Sequence, residues 1–152
     1  MAHRLITFSE TPSAADFAAI FRALDDETAL VAGHAQIQPI AVLLHDCKGM
    51  VIGGLWGRTA YSWLTIEMLV VPPALRGQGH GSALMRRAER AARERGCIGI
   101  QVTTFDFQAQ AFYRRLGFSV FGVQEDIPPG HKLLYLSKRL APACLPSVAR
   151  DS

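Results

Sequence analysis

Arg76, Gly77, Gly79 and Gly81 fall within the six residues "RGQGHG", between an apolar stretch, "MLVVPPAL", and a run of alternating arginines and alanines, "SALMRRAERAARERG". These residue types at this spacing suit the binding of an anion. Glycines let the backbone approach closely, and the first turn of a helix presents unpaired N–H groups with the positive end of its dipole. Arg76 can add charge-assisted hydrogen bonds. Two common phosphate loops do not fit. Ser82 and Leu84 stand where GxGxxG needs its third glycine, and no GK[ST] closes the segment. Metal chemistry has little to build on, since Cys47, Cys97 and Cys144 are odd in number and scattered without CxxC spacing.

Apolar periodicity supplies the elements that must hold this loop. "HRLITF" reads as a short strand. "SAADFAAIFRALDDETALVA" reads as a helix with Ser13 as N-cap and Phe17, Ile20, Phe21 and Leu24 on one face. "IAVLLHD" and "MVIGGLWGR" flank "CKG" as an antiparallel hairpin. In "SWLTIEMLVV" strict alternation puts Leu64, Ile66, Met68 and Val70 on one face, with Trp63, Thr65, Glu67, Leu69 and Val71 on the other. Glu67 is the one charge on that strand. The helix after the loop turns Leu84, Ala88 and Ala92 inward and its charges outward, and Gly96 stops it. "CIGIQVTTF" is a strand, and "DFQAQAFYRRLG" is a short helix capped by Asp106 and ended by Gly117. "FSVFGVQE" and "KLLYLSKRL" close the order β, α, β, β, β, α, β, α, β, β. Single strands separated by helices imply a parallel pair inside a mixed α/β sheet.

The chain has 152 residues, 49% of them hydrophobic and 19% charged, enough for one sizeable core. One domain is expected over 4–140, followed by a poorly ordered tail over 141–152. No apolar run reaches the roughly 18 residues that span a bilayer, and the opening lacks a secretory apolar region. A cytoplasmic protein with no membrane partner is expected. The net charge of +3 comes largely from one helix on which arginines alternate with glutamates, which argues against nucleic acid.

Two segments carry a resemblance. The pattern Arg76-x-x-Gly79-x-Gly81, after "LVVPP" and before an amphipathic helix, resembles the coenzyme A pyrophosphate loop of the GNAT superfamily of N-acetyltransferases. "AFYRRLGF", Ala111 to Phe118, is similar to the family's last acyl-CoA segment, and the order of elements agrees over about Leu5 to Leu140. The resemblance implies a central splayed mixed sheet flanked by helices, with acetyl-CoA as the cofactor. It also implies that the pantetheine arm lies along Leu69, Val70 and Val71 as an added strand would. The pyrophosphate then sits in the loop of Arg76, Gly77, Gln78, Gly79, His80, Gly81 and Ser82.

Further roles follow from the same resemblance. An amine of a small molecule, or an exposed amino group, attacks the thioester directly, so no enzyme nucleophile is needed. Tyr113 matches the tyrosine that faces the sulfur, and Asp106 stands where many relatives hydrogen-bond the pantetheine through asparagine. Three candidates stand for the base: Glu67 by position on its strand, His131 in the turn "EDIPPGHK" on the acceptor side, and a chain of water. Asp25, Asp26 and Glu27 offer charge for a cationic acceptor. The two closing strands leave a sheet edge, from which a homodimer is expected. A sensor that binds acyl-CoA without catalysis is the alternative reading, and Tyr113 favours the enzyme.

Overall fold

The computed structural model describes residues 5–142. The expected tail lies outside the described residues from 143 onward, as does Cys144. The chain divides into two compact units between Ala35 and Gln36. In the first, helix α1 (Ala14–Ala32) starts as the sequence predicts. Ser13 Oγ accepts from the Asp16 N–H at 3.1 Å, and the Asp16 carboxylate accepts from the Ser13 N–H at 2.8 Å, a reciprocal capping box. Asp25 is committed within the same unit. Its carboxylate accepts from the Ala35 N–H at 2.8 Å and meets His34 Nδ1 at 2.7 Å, and these contacts hold it below the ordinary carboxylate range. Leu5–Phe8 form no strand, contrary to the periodicity. A ladder needs a partner, and this unit contains no other strand among its described residues.

The second unit is built on strands β1 (Gln38–His45), β2 (Val51–Ala60), β3 (Trp63–Val70), β4 (Gly99–Phe105), β5 (Ser119–Glu125) and β6 (Lys132–Arg139). Helix α2 (His80–Glu94) joins β3 to β4, and α3 (Gln110–Arg115) joins β4 to β5. The strands lie in the order β1-β2-β3-β4-β6-β5. Among the described strands only β3 and β4 run parallel, as a helical crossover requires. Hairpin β1–β2 turns where Asp46 Oδ1 accepts the N–H groups of Lys48 and Met50, both at 2.9 Å. Leu84, Met85, Ala88 and Ala92 of α2 are buried in a core whose largest fully enclosed side chains are Leu55, Leu64, Ile100 and Leu136. α2 covers β1 to β4.

Glu89 leaves the outer face expected of it. Its carboxylate bonds Lys138 Nζ of β6 and the Arg93 guanidinium, each at 2.9 Å, and so ties α2 to the sheet. Burial alone would raise its pKa, but the Lys138 and Arg93 hydrogen bonds outweigh it and hold the group below its ordinary 4.5. A depressed carboxyl pKa stabilises the fold above the unfolded value, and this contribution fades as pH falls through the folded one. Glu89→Gln is therefore expected to cost on the order of 1 kcal/mol at pH 7 and progressively less as the pH falls through the depressed folded pKa. Thermal melts across a descending pH series check this, and a loss that does not shrink with acid would assign Glu89 a packing role.

The alternation read along β3 fails at one residue. Gly57 of β2 pairs with Ile66 and Trp56 with Met68, so Glu67 is an extra residue, a β-bulge. Beyond it the faces exchange. Leu64 and Ile66 are buried, Leu69 and Val71 pack on the same core, and Met68 and Val70 are more than half exposed. Gly57 fits the site because a Cβ there would meet the Thr65 carbonyl.

Candidate active site

The parallel pair opens as it leaves the core. β3 and β4 pair from Trp63 with Gly99 to Ile66 with Val102, and there pairing stops although β3 runs to Val70 and β4 to Phe105. Gln101 Nε2 donates to Thr65 Oγ1 at 2.9 Å on the rung before the opening. Past it, no strand among the described residues lies beside one edge of Glu67–Val70, which leaves backbone groups free for an extended ligand.

The glycine loop begins where β3 ends. A short 3₁₀ turn, Pro73–Leu75, leads to Arg76, whose Nε donates to the Val71 carbonyl at 3.0 Å. Gln78 Nε2 donates to the Ala74 carbonyl at 3.2 Å. Gly77 and Gly79 have φ of +73° and +83°, and no atom lies within 4 Å of where their Cβ would be. Gly79 is the N-cap of α2 and offers no side chain to cap it. Among the described residues the N–H groups of Gly79, His80, Gly81 and Ser82 have no hydrogen-bond partner. Such a cradle fits a pyrophosphate.

α3 closes the far side. A Cβ on Gly81 would lie 3.3 Å from the Phe112 ring, so the start of α2 rests on α3. Next along α3, Tyr113 is 5% exposed, packed edge-on against Phe112 and Phe118 at centroid distances of 5.1 and 5.7 Å. Its hydroxyl has no protein partner among the described residues, yet it is not sealed from solvent. Burial pushes its pKa up to about 12, so the phenol stays a donor at neutral pH. Cys97 is buried and burial raises its pKa too, which keeps it a thiol.

The remaining predicted residues fall in two places. Glu67 sits at the bulge, 3.3 Å from Arg58 Nε on β2. Asp106 and His131 come together, with Oδ1 and Nδ1 at 3.3 Å. Asp106 does not cap α3, which starts later, after Ala109, without a side-chain cap. Gln108 governs the intervening turn, since its Oε1 accepts the Phe105 N–H at 3.1 Å and the Thr104 hydroxyl at 3.3 Å. Sequence reasoning missed Gln108, Arg58 and Phe112. Phe112 alone carried a signal, as an aromatic beside Tyr113 in the second matched segment.

The model of the Acetyltransferase (GNAT) family matches residues 5–118. The chain belongs to this family. It is an acyltransferase, and its cofactor is acetyl-CoA. The acetyltransferase is 46% identical over 94 residues to the blasticidin-S acetyltransferase of Streptomyces morookaense, covering 61% of this chain and 69% of that one. It is 39% identical over 98 residues to the streptothricin acetyltransferase of Streptomyces lavendulae, covering 56% and 52%. A crystal structure of an acetyltransferase from Bacillus cereus superposes with a TM-score of 0.76 at 28% identity, covering 88% and 98%. No described helix of the acetyltransferase is long and apolar enough to cross a membrane.

Proposed function

We propose that the protein is a cytoplasmic N-acetyltransferase, a single domain over 4–140, that acetylates a primary amine of a small molecule or an exposed amino group by direct transfer in a ternary complex. The observation that carries this reading is the end of β3–β4 pairing at Ile66 and Val102, beside a cradle of unpaired N–H groups at Gly79 to Ser82. When bound, acetyl-CoA supplies the acetyl group as a thioester. Leu69, Val70 and Val71 take the pantetheine along their free edge, and Arg76 through Ser82 hold the pyrophosphate. A backbone N–H of the splayed strand stabilises the oxyanion that develops on attack. Tyr113 hydrogen-bonds the departing sulfur, and Glu67 attracts the ammonium form of the acceptor. The names of the two Streptomyces relatives make blasticidin S and streptothricin the first acceptors to try.

The test is coenzyme A release from acetyl-CoA with a panel of primary amines headed by these two, with the acetylated product identified by mass. Release that depends on the amine is expected. A protein that binds acetyl-CoA and acetylates none of the panel would leave the sensor reading in its place. The homodimer is proposed to form along β5, an edge strand with Phe121 and Val123 more than half exposed. Sedimentation at micromolar concentration is expected to give twice the chain mass, and a monomer would refute it.

A further inference from the structure

The geometry points to a proton-accepting pair, Asp106 and His131, that serves the acceptor amine, an inference that rests on the N-acetyl transfer proposed above. The pair stands at the mouth of the wedge. Parallel pairing joins each β3 residue to a β4 residue 36 positions on, Trp63 to Gly99 and Ile66 to Val102. Asp106 directly follows the last residue of β4, at the same end of the sheet toward which β3, parallel to it, runs out past the last shared rung. The Asp106 N–H donates to the Lys132 carbonyl at 3.0 Å, which fixes the end of β4 beside His131.

The carboxylate has no local task. Gln108 satisfies the turn that Asp106 would otherwise cap, so Asp106 is left to meet the imidazole at 3.3 Å. The ring is held on a second side. Phe107 lies edge-on to it at 4.7 Å and is itself stacked on Phe105 at 5.2 Å. The backbone that carries it is fixed as well, since the His131 main-chain N–H donates to the Pro128 carbonyl at 2.9 Å. Neighbouring charges are engaged elsewhere: Lys132 pairs with Glu125 at 3.2 Å, and Asp126 accepts from the Gly130 N–H at 3.3 Å. Glu67 already shares its charge with Arg58.

A carboxylate can only accept, so in the neutral ring Nδ1 carries the hydrogen and Nε2 the free electron pair. In the transfer, one N–H bond of the substrate ammonium breaks and its proton forms a bond to Nε2. The electron pair stays on the amine nitrogen, which becomes the nucleophile. The imidazolium is stabilised by Asp106 and returns its proton to solvent through its half-exposed face. His131 is the catalytic base in this scheme and Asp106 a positioning residue.

Two measurements decide it. In nitrogen-15 NMR of the free protein, the neutral His131 ring is expected as the Nδ1–H tautomer, relaxing in Asp106→Asn toward the Nε2–H form that free histidine favours. A wild-type ring in the Nε2–H form overturns the pair. With blasticidin S as acceptor, His131→Gln should lower kcat/KM by about 10²-fold while stabilisation by acetyl-CoA is unchanged. Asp106→Asn should lower it on the order of tenfold, because the imidazolium that forms loses its counter-charge. Asp106→Glu should restore part of the rate and of the Nδ1–H tautomer. If His131→Gln turns over like wild type, the pair falls and N-acetyl transfer stands. If wild type acetylates neither blasticidin S nor any other amine of the panel, the proposed reaction falls and takes the pair with it.

Discussion

Tyr113→Phe is expected to bind acetyl-CoA as wild type does and to turn over about 10²-fold more slowly, the scale of losing a positioned proton donor. The substitution keeps the ring, and with it the edge-on contacts to Phe112 and Phe118 that bury this side chain. The chemistry of the loss is set by solvation. Burial pushes the phenol up to about 12, whereas an ordinary thiol lies near 8.5, so full transfer of the phenolic proton to the departing sulfur is uphill by about 5 kcal/mol. Tyr113 is therefore expected to act by donating a hydrogen bond to charge as it develops, with solvent supplying the proton afterwards. A second expectation follows. The ratio of wild-type to Tyr113→Phe turnover should stay flat from pH 7 to about 10, because the phenol does not ionise in that range. Equal rates for the two proteins, measured where chemistry limits turnover, would make Tyr113 a packing residue.

Gly79→Glu is expected to abolish the thermal stabilisation that acetyl-CoA gives the wild-type protein. A ligand at 100 times its Kd stabilises a fold by about 2.7 kcal/mol, which a melt resolves easily. At Gly79 the new side chain enters the open space of the cradle, bringing bulk and a negative charge toward a site built for an anion. The φ of +83° also strains any residue with a Cβ, so the variant should melt lower even without ligand. For that reason the quantity that decides is the difference in Tm with and without acetyl-CoA, taken within each protein. A variant stabilised as much as wild type would place the pyrophosphate elsewhere.

Much of the candidate site was legible in the sequence because its parts lie close along the chain. The loop from Arg76 to Ser82 and the helix it starts are local, so glycine spacing and one amphipathic pattern suffice to find them. Tyr113 came from a short matched segment in the same way. What alternation could not reveal was Glu67 as a bulge: a period of two has no way to mark an inserted residue, and the evidence for it lies in the pairing of Met68 with Trp56, across a hairpin. Strand pairing likewise governs "HRLITF", whose apolar residues suit a strand but make none without a partner. Asp106 was misread as a cap because "DFQ" looks like a helix start. Only the fold brings His131, far along the chain, to its carboxylate.

The inserted residue in β3 has a consequence for ligand capture. Along a regular strand, successive backbone groups point alternately to the two neighbours, and one extra residue reverses that phase for everything after it. β4 continues without an insertion, so beyond Ile66 and Val102 the donors and acceptors of the two strands are out of step. Zipping them together would demand a matching defect in β4. The gap is thus fixed when the chain folds, and an incoming ligand displaces no hydrogen-bonded rung to occupy it. Binding is preorganised: the cost of keeping these backbone groups apart is met by the stability of the sheet and not by the affinity for the ligand.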